Sequence, residues 1–134
     1  MDVTLILCDA AQAVDGKLYV LGGGWTMVKV KPGEAVTMGL GAIVTVDWHE
    51  TNQPVEVKVE LQMEDGPIVT INEQPIMMGA LLEVGRPPGT KAGSQMNAAL
   101  AFPLMPLPLA PGGYVWVLTI NEEEKARRPF LVLQ

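Results

Sequence analysis

His49 is the only histidine in the chain, and it stands between Asp47 and Glu50. An imidazole beside two carboxylates could hold a divalent metal or act as a general base. Zinc sites, however, draw on several His or Cys ligands, and no second histidine exists. In extended chain Asp47 and His49 share a face while Glu50 points away. The pattern therefore predicts a solvated loop histidine. Cys8 is the only cysteine. A reactive thiol needs an electropositive setting, whereas Cys8 is flanked by Leu7 and Asp9. It reads as a small buried hydrophobe. Gly22-Gly23-Gly24 could cradle a phosphate, but a P-loop continues with Lys-Ser or Lys-Thr and a dinucleotide loop with a helix. Here Trp25 and an apolar run follow, so a bulge or tight turn is expected. Asp2, Asp9, Asp15 and Asp47 do not form the compact acidic loop that calcium takes. No spacing selects a carboxylate pair for acid–base work. The expectation is a protein without catalytic residues, cofactor or bound metal.

The aromatic and apolar residues offer other chemistry. Tyr114 and Trp116 alternate with Val115 and Val117. That strand is apolar on both faces, while a two-layer fold buries one face of each sheet. The second face must be covered by the segment Pro103–Pro111 or by another subunit. A self-associating surface is therefore expected at Tyr114, Val115, Trp116 and Val117, with Leu107 and Leu109 of the proline-rich segment beside it. Alternatively, Trp25, Trp48 and Trp116 could stack against sugar rings, as in a small-ligand or carbohydrate-binding module. The eight methionines suit either a plastic binding surface or core filling.

Composition narrows the partners. The 134 residues suit one domain, residues 1–134, with a real core. A formal charge of −6 and the lack of a basic stripe argue against nucleic acid and anionic membranes. Charged residues make up 18%, below the ~25% of ordinary domains, and hydrophobic residues 49%. Such a surface hints at burial in a homo-oligomer. The opening residues lack the basic stretch of a secretory signal, and no apolar run reaches the ~18 residues of a membrane helix. A reducing cytoplasm is the expected compartment.

The elements that must position these residues are strands. Fourteen glycines and eleven prolines leave few windows for a helix. Val55 to Met63 alternates strictly, with Val55, Val57, Val59, Leu61 and Met63 on one face and Glu56, Lys58, Glu60, Gln62 and Glu64 on the other. Val3 to Ala13 and Lys17 to Leu21 predict a hairpin turning at Asp15-Gly16. Further strands are expected over 25–30, 36–48, 68–71, 95–102, 114–120 and 129–133. Residues 75–84 fit strand or short helix. Pro103–Pro111 is extended but not a central strand. Glu122–Arg128 reads as a charged hairpin tip. Seven to nine antiparallel strands with regular turns predict an all-β, single-domain β-sandwich, with a barrel as the alternative.

Two stretches, Leu7–Gln12 with Asp15–Trp25, and Leu107–Trp116, resemble an uncharacterised bacterial domain family. The tail is also similar to the last hairpin of immunoglobulin-like accessory domains, with its Pro-Gly turn, aromatic strand and Arg128-Pro129-Phe130-Leu131-Val132. The resemblance implies an immunoglobulin-like or C2-like β-sandwich and assigns no functional residue. The resulting expectation is a non-enzymatic interaction or structural module that self-associates.

Overall fold

The computed structural model describes Met1–Gln134. The chain is all-β. In order, the strands are β1 (Asp2–Cys8), β2 (Ala10–Val14), β3 (Lys17–Leu21), β4 (Met27–Lys29), β5 (Gly39–Val46), β6 (Val55–Met63), β7 (Thr70–Ile71), β8 (Gln74–Pro75), β9 (Met77–Leu82), β10 (Met96–Pro103), β11 (Gly112–Ile120) and β12 (Glu123–Leu133). One three-residue 3-10 turn, Trp48–Glu50, follows β5. Twelve strands exceed the seven to nine expected. Eight of them form the two larger sheets, and the other four form two short hairpins.

The larger sheets run β1-β5-β10 and β4-β12-β11-β6-β9. All their pairings are antiparallel except β4 with β12. Their facing sides share one core, including Leu5, Leu40, Val44, Val57, Val59, Leu61, Trp116 and Leu118. The period-two pattern of β6 explains its share of that core, since Val55, Val57, Val59 and Leu61 are buried. Met63, at the strand's end, is exposed. At one side the sheets are tied by Arg128 of β12, whose Nε donates to the Leu5 carbonyl at 2.7 Å. This satisfies an otherwise free acceptor on the β1 edge.

Several boundaries differ from expectation for identifiable reasons. The first apolar run divides at Asp9. The N–H of Asp9 donates to the Leu21 and Gly22 carbonyls at 3.0 and 3.1 Å, closing the base of the β2–β3 hairpin. The Asp15-Gly16 turn is as expected, with both residues at positive φ. Asn121 and Glu122 make a second such turn, and the Asn121 side chain accepts the Glu56 N–H at 2.9 Å. The charged stretch Glu123–Arg128 is therefore strand rather than hairpin tip, because its charges occupy exposed or half-exposed positions of β12. Residues 77–82 are strand, held in register against Val55–Glu60.

The hairpin β2–β3 lies over the outward side of β5. This needs glycine on β5. A Cβ at Gly39 would stand 3.3 Å from the Ala10 Cα, and one at Gly41 3.0 Å from a methyl of Leu18. Pro103–Pro111 is extended as expected. Leu107 exchanges two backbone hydrogen bonds with Val36, at 2.8 and 2.9 Å.

Candidate functional site

The six residues expected at an interface are all buried within one chain. Tyr114 and Trp116 face the core, and Leu107 and Leu109 belong to it. The proline-rich segment thus packs on the inner side of β11, and it cannot cover the outer side. Tyr114 stacks on Phe130 with ring centroids 5.6 Å apart, and its hydroxyl donates to the Ala110 carbonyl at 2.7 Å. Burial pushes that hydroxyl's pKa up. Trp116 Nε1–H points at the Met38 sulfur, 3.3 Å away.

Val115 and Val117 do face outward, and neither belongs to the core cluster. They are covered by their in-register neighbours. Pro129 and Gln62 flank Val115, and Arg127 and Glu60 flank Val117. Long polar side chains shield apolar surface with their aliphatic stems while their heads reach water. Sequence patterning sees only Val115 and Val117 on their own strand. It cannot see which side chains the sheet order puts beside them.

Above Val115 the same face opens into a recess of about 480 Å³, lined among others by Met27, Glu64, Arg127, Pro129 and Leu131. Cross-strand register builds it. Met27 lies beside Leu131, and Leu131 beside Gly113. Glu64 donates its N–H to the Gly113 carbonyl at 3.1 Å, and its carboxylate lies against Gly113, where any side chain would collide with it. Met27 is 58% exposed, Leu131 41% and Leu133 42%. At the recess wall Arg127 holds Glu124 through two bonds of 2.8 and 3.0 Å. This pairing lowers the Glu124 pKa and raises that of Arg127.

The family model described as "Family of unknown function (DUF6941)" matches residues 3–133. The chain belongs to that family. Among curated proteins, none matches the sequence. The family assignment carries no activity, so the chemistry of this member rests on its own side chains.

Those side chains are mostly committed to structure. The 3-10 turn brings Asp47, His49 and Glu50 within 4.8 Å of one another, where extended chain would have separated Glu50. Glu50 is engaged, however. Its Oε2 takes the Met1 ammonium at 3.0 Å, and its Oε1 accepts the Asp47 N–H at 3.1 Å. These two contacts hold its pKa below the usual carboxylate value. Asp47 accepts the Gln95 amide at 2.8 Å. His49 remains exposed. Cys8 is fully buried, its thiol donates to the Gly39 carbonyl at 3.3 Å, and burial followed by the Asp9 charge raises its pKa. Gly22–Gly24 packs against the end of β1, with Gly24 N–H on the Leu7 carbonyl at 2.8 Å and the Asp9 carboxylate against Gly22.

The three tryptophans do not form one platform. Trp116 is in the core. Trp48 is capped by the Arg86 guanidinium 3.9 Å above its ring. Trp25 is half-buried, edge-on to Phe130 at 6.0 Å. No helix is long and apolar enough to cross a membrane.

Proposed function

We propose that this chain is a non-enzymatic interaction module that self-associates, acting in the bacterial cytoplasm as a β-sandwich of immunoglobulin-like type. The observation that carries the reading is the outer face of the five-stranded sheet. Met27, Leu131 and Leu133 stand exposed there on the neighbouring strands β4 and β12, and Met27 and Leu131 line the recess over Val115. Contiguous apolar surface of this kind marks association sites. A low charge content gives the rest of the surface little to hold copies apart.

The non-enzymatic reading is supported by the engagement of Asp47 and Glu50 with structural donors and by the burial of Cys8. The sandwich reading is supported by two sheets sharing one core and by Tyr114, whose hydroxyl bonds four residues upstream. Immunoglobulin-like domains hold a comparable tyrosine corner. A single buried cysteine suits a reducing compartment.

Light scattering coupled to size exclusion, over a hundredfold concentration range, tests the reading. The mass should rise from that of one 14.4 kDa chain toward twice that value. A constant monomer mass at the highest concentration overturns it.

A further inference from the structure

We infer that the chain pairs with a second copy of itself along β9, antiparallel and centred on Gly79, so that two five-stranded sheets join into one. The inference rests on the self-association reading above. It adds a strand and a register at the edge of the same sheet farthest from β4.

β9 is the last strand of that sheet and pairs only with β6. The bond from the Leu61 N–H to the Ile76 carbonyl, at 3.0 Å, sets the phase of the ladder. Bonded and non-bonded positions alternate in an antiparallel pair. Met78, Ala80 and Leu82 therefore turn their backbone groups toward β6, and Met77, Gly79 and Leu81 turn theirs away. No group of the chain bonds the N–H or carbonyl of those three residues. All three are exposed. Gly79 has no side chain, so its exposure is that of the backbone itself.

Native sheets blunt such edges. On β1, Arg128 and the Gly24 N–H take the Leu5 and Leu7 carbonyls. β4 is three residues long, with Pro32 shortly after it. β10 ends on Pro103 and has the β2–β3 hairpin packed beside it. β9, Met-Met-Gly-Ala-Leu-Leu, carries neither charge nor proline. Its glycine is also unexplained within one chain. Gly79 lies outside the positive-φ region. A Cβ there would meet only the Val57 carbonyl oxygen, at an ordinary 3.6 Å, whereas Gly39 and Gly41 are imposed by their own hairpin. A glycine inside a strand gives up stability and marks places where another backbone comes close.

A second β9 fits that edge in one register. A two-fold axis normal to the sheet sets Gly79 against the partner's Gly79 and Met77 against the partner's Leu81. Each of these pairs exchanges both of its bonds, and no outward group of β9 is left over. On the inner face the bulky Met78 lies opposite the small Ala80 of the partner subunit, so the strand is its own complement in size. Glu83, just past β9, falls opposite the partner's Pro75. The nearest charged row, Glu56, Lys58 and Glu60, sits one strand inward on β6. The two copies' rows are therefore three strand spacings apart, about 14 Å, beyond the ~8 Å screening length. Two acidic chains can meet along this edge without opposing those charges.

The test uses the full chain, with added cysteines oxidised by diamide and read on non-reducing gels. Cys8 is buried and stays out of the reaction. Bonded partners have Cα atoms about 5.5 Å apart, within disulfide reach. Gly79→Cys should therefore cross-link to a covalent dimer. Met77→Cys and Leu81→Cys should each stay uncross-linked alone, since like positions are displaced by about 13 Å along the strands, and should cross-link when mixed. Leu81→Lys should weaken the wild-type dimer at least roughly tenfold in sedimentation equilibrium, with an unchanged circular dichroism spectrum. A wild-type dimer in which Gly79→Cys does not cross-link, or in which Met77→Cys cross-links alone as readily as in the mixture, overturns the β9 pairing and leaves self-association standing. A wild-type chain that stays monomeric overturns both, and leaves this edge to a strand of another protein.

Discussion

Leu107 separates two accounts of the proline-rich segment. As an interface residue it would govern association, whereas as a core residue it governs stability. The structure buries it to 8% exposure, inside the shared core and bridged to Val36 by two backbone bonds. Leu107→Ala keeps both backbone bonds and removes three buried carbons. Leu→Ala in cores costs ~2–5 kcal/mol, and a site at the core's margin belongs in the lower half, about 2–3 kcal/mol. For a chain of this size each kcal/mol shifts Tm by roughly 4 °C, so Tm should fall by about 8–12 °C. The control lies two residues away in the same segment. Met105 is 80% exposed, so Met105→Ala should change stability by less than about 0.5 kcal/mol. Urea unfolding followed by tryptophan fluorescence reads both, at a concentration where the wild type is monomeric. Equal midpoints for the two variants, or a Leu107→Ala chain that melts normally but changes its mass, would refute the assignment of this segment to the core.

Two further outcomes follow from titratable groups. Glu50 has its pKa held below the ordinary 4.5, first by the Met1 ammonium and then by the Asp47 N–H. A depressed folded pKa gives stability that is present above the unfolded value and lost as pH falls through the folded one. The wild type should therefore lose stability below about pH 4.5 more steeply than Glu50→Gln, as read by urea midpoints from pH 6 to pH 3; parallel curves would count against the ion pair. Cys8 should be inert to a thiol-exchange reagent in the native state and react fully in denaturant, because its thiol is buried and its pKa is raised. Fast native labelling would contradict its burial.

The legible parts of the sequence were those where one strand's own pattern decides burial. β6 is the clearest case, since its alternation alone assigns four core valines and leucines to one face. Asp15-Gly16 is another, because the turn type demands positive φ at both positions. Register was not legible, and the interface residues depended on it. Val115 and Val117 look unpartnered along β11, yet the stems that cover them come from Gln62, Glu60, Pro129 and Arg127, on strands far away in sequence. The recess was missed for the same reason. Met27 joins Leu131 and Gly113 only through a parallel pairing of β4 with β12, and a three-residue strand carries no periodic signal.

The surplus of apolar residues over charged ones ends on two surfaces, and physical differences choose between them. Tyr19 and Leu21 form one, on the β2–β3 hairpin, at 54% and 71% exposure. They stand on a two-stranded hairpin with no flanking strand, whereas on the five-stranded sheet Met27 is 58% and Leu81 81% exposed. An isolated hairpin is marginal by itself, and ordering its side chains against a partner costs more than using a surface already fixed. At the centre of the sheet face β12 and β11 are paired on both sides, with Phe130, Val132, Tyr114 and Trp116 locked in the core. Exposure does not separate the two surfaces, whereas the rigidity of its supporting strands favours the five-stranded sheet for the self-association proposed above.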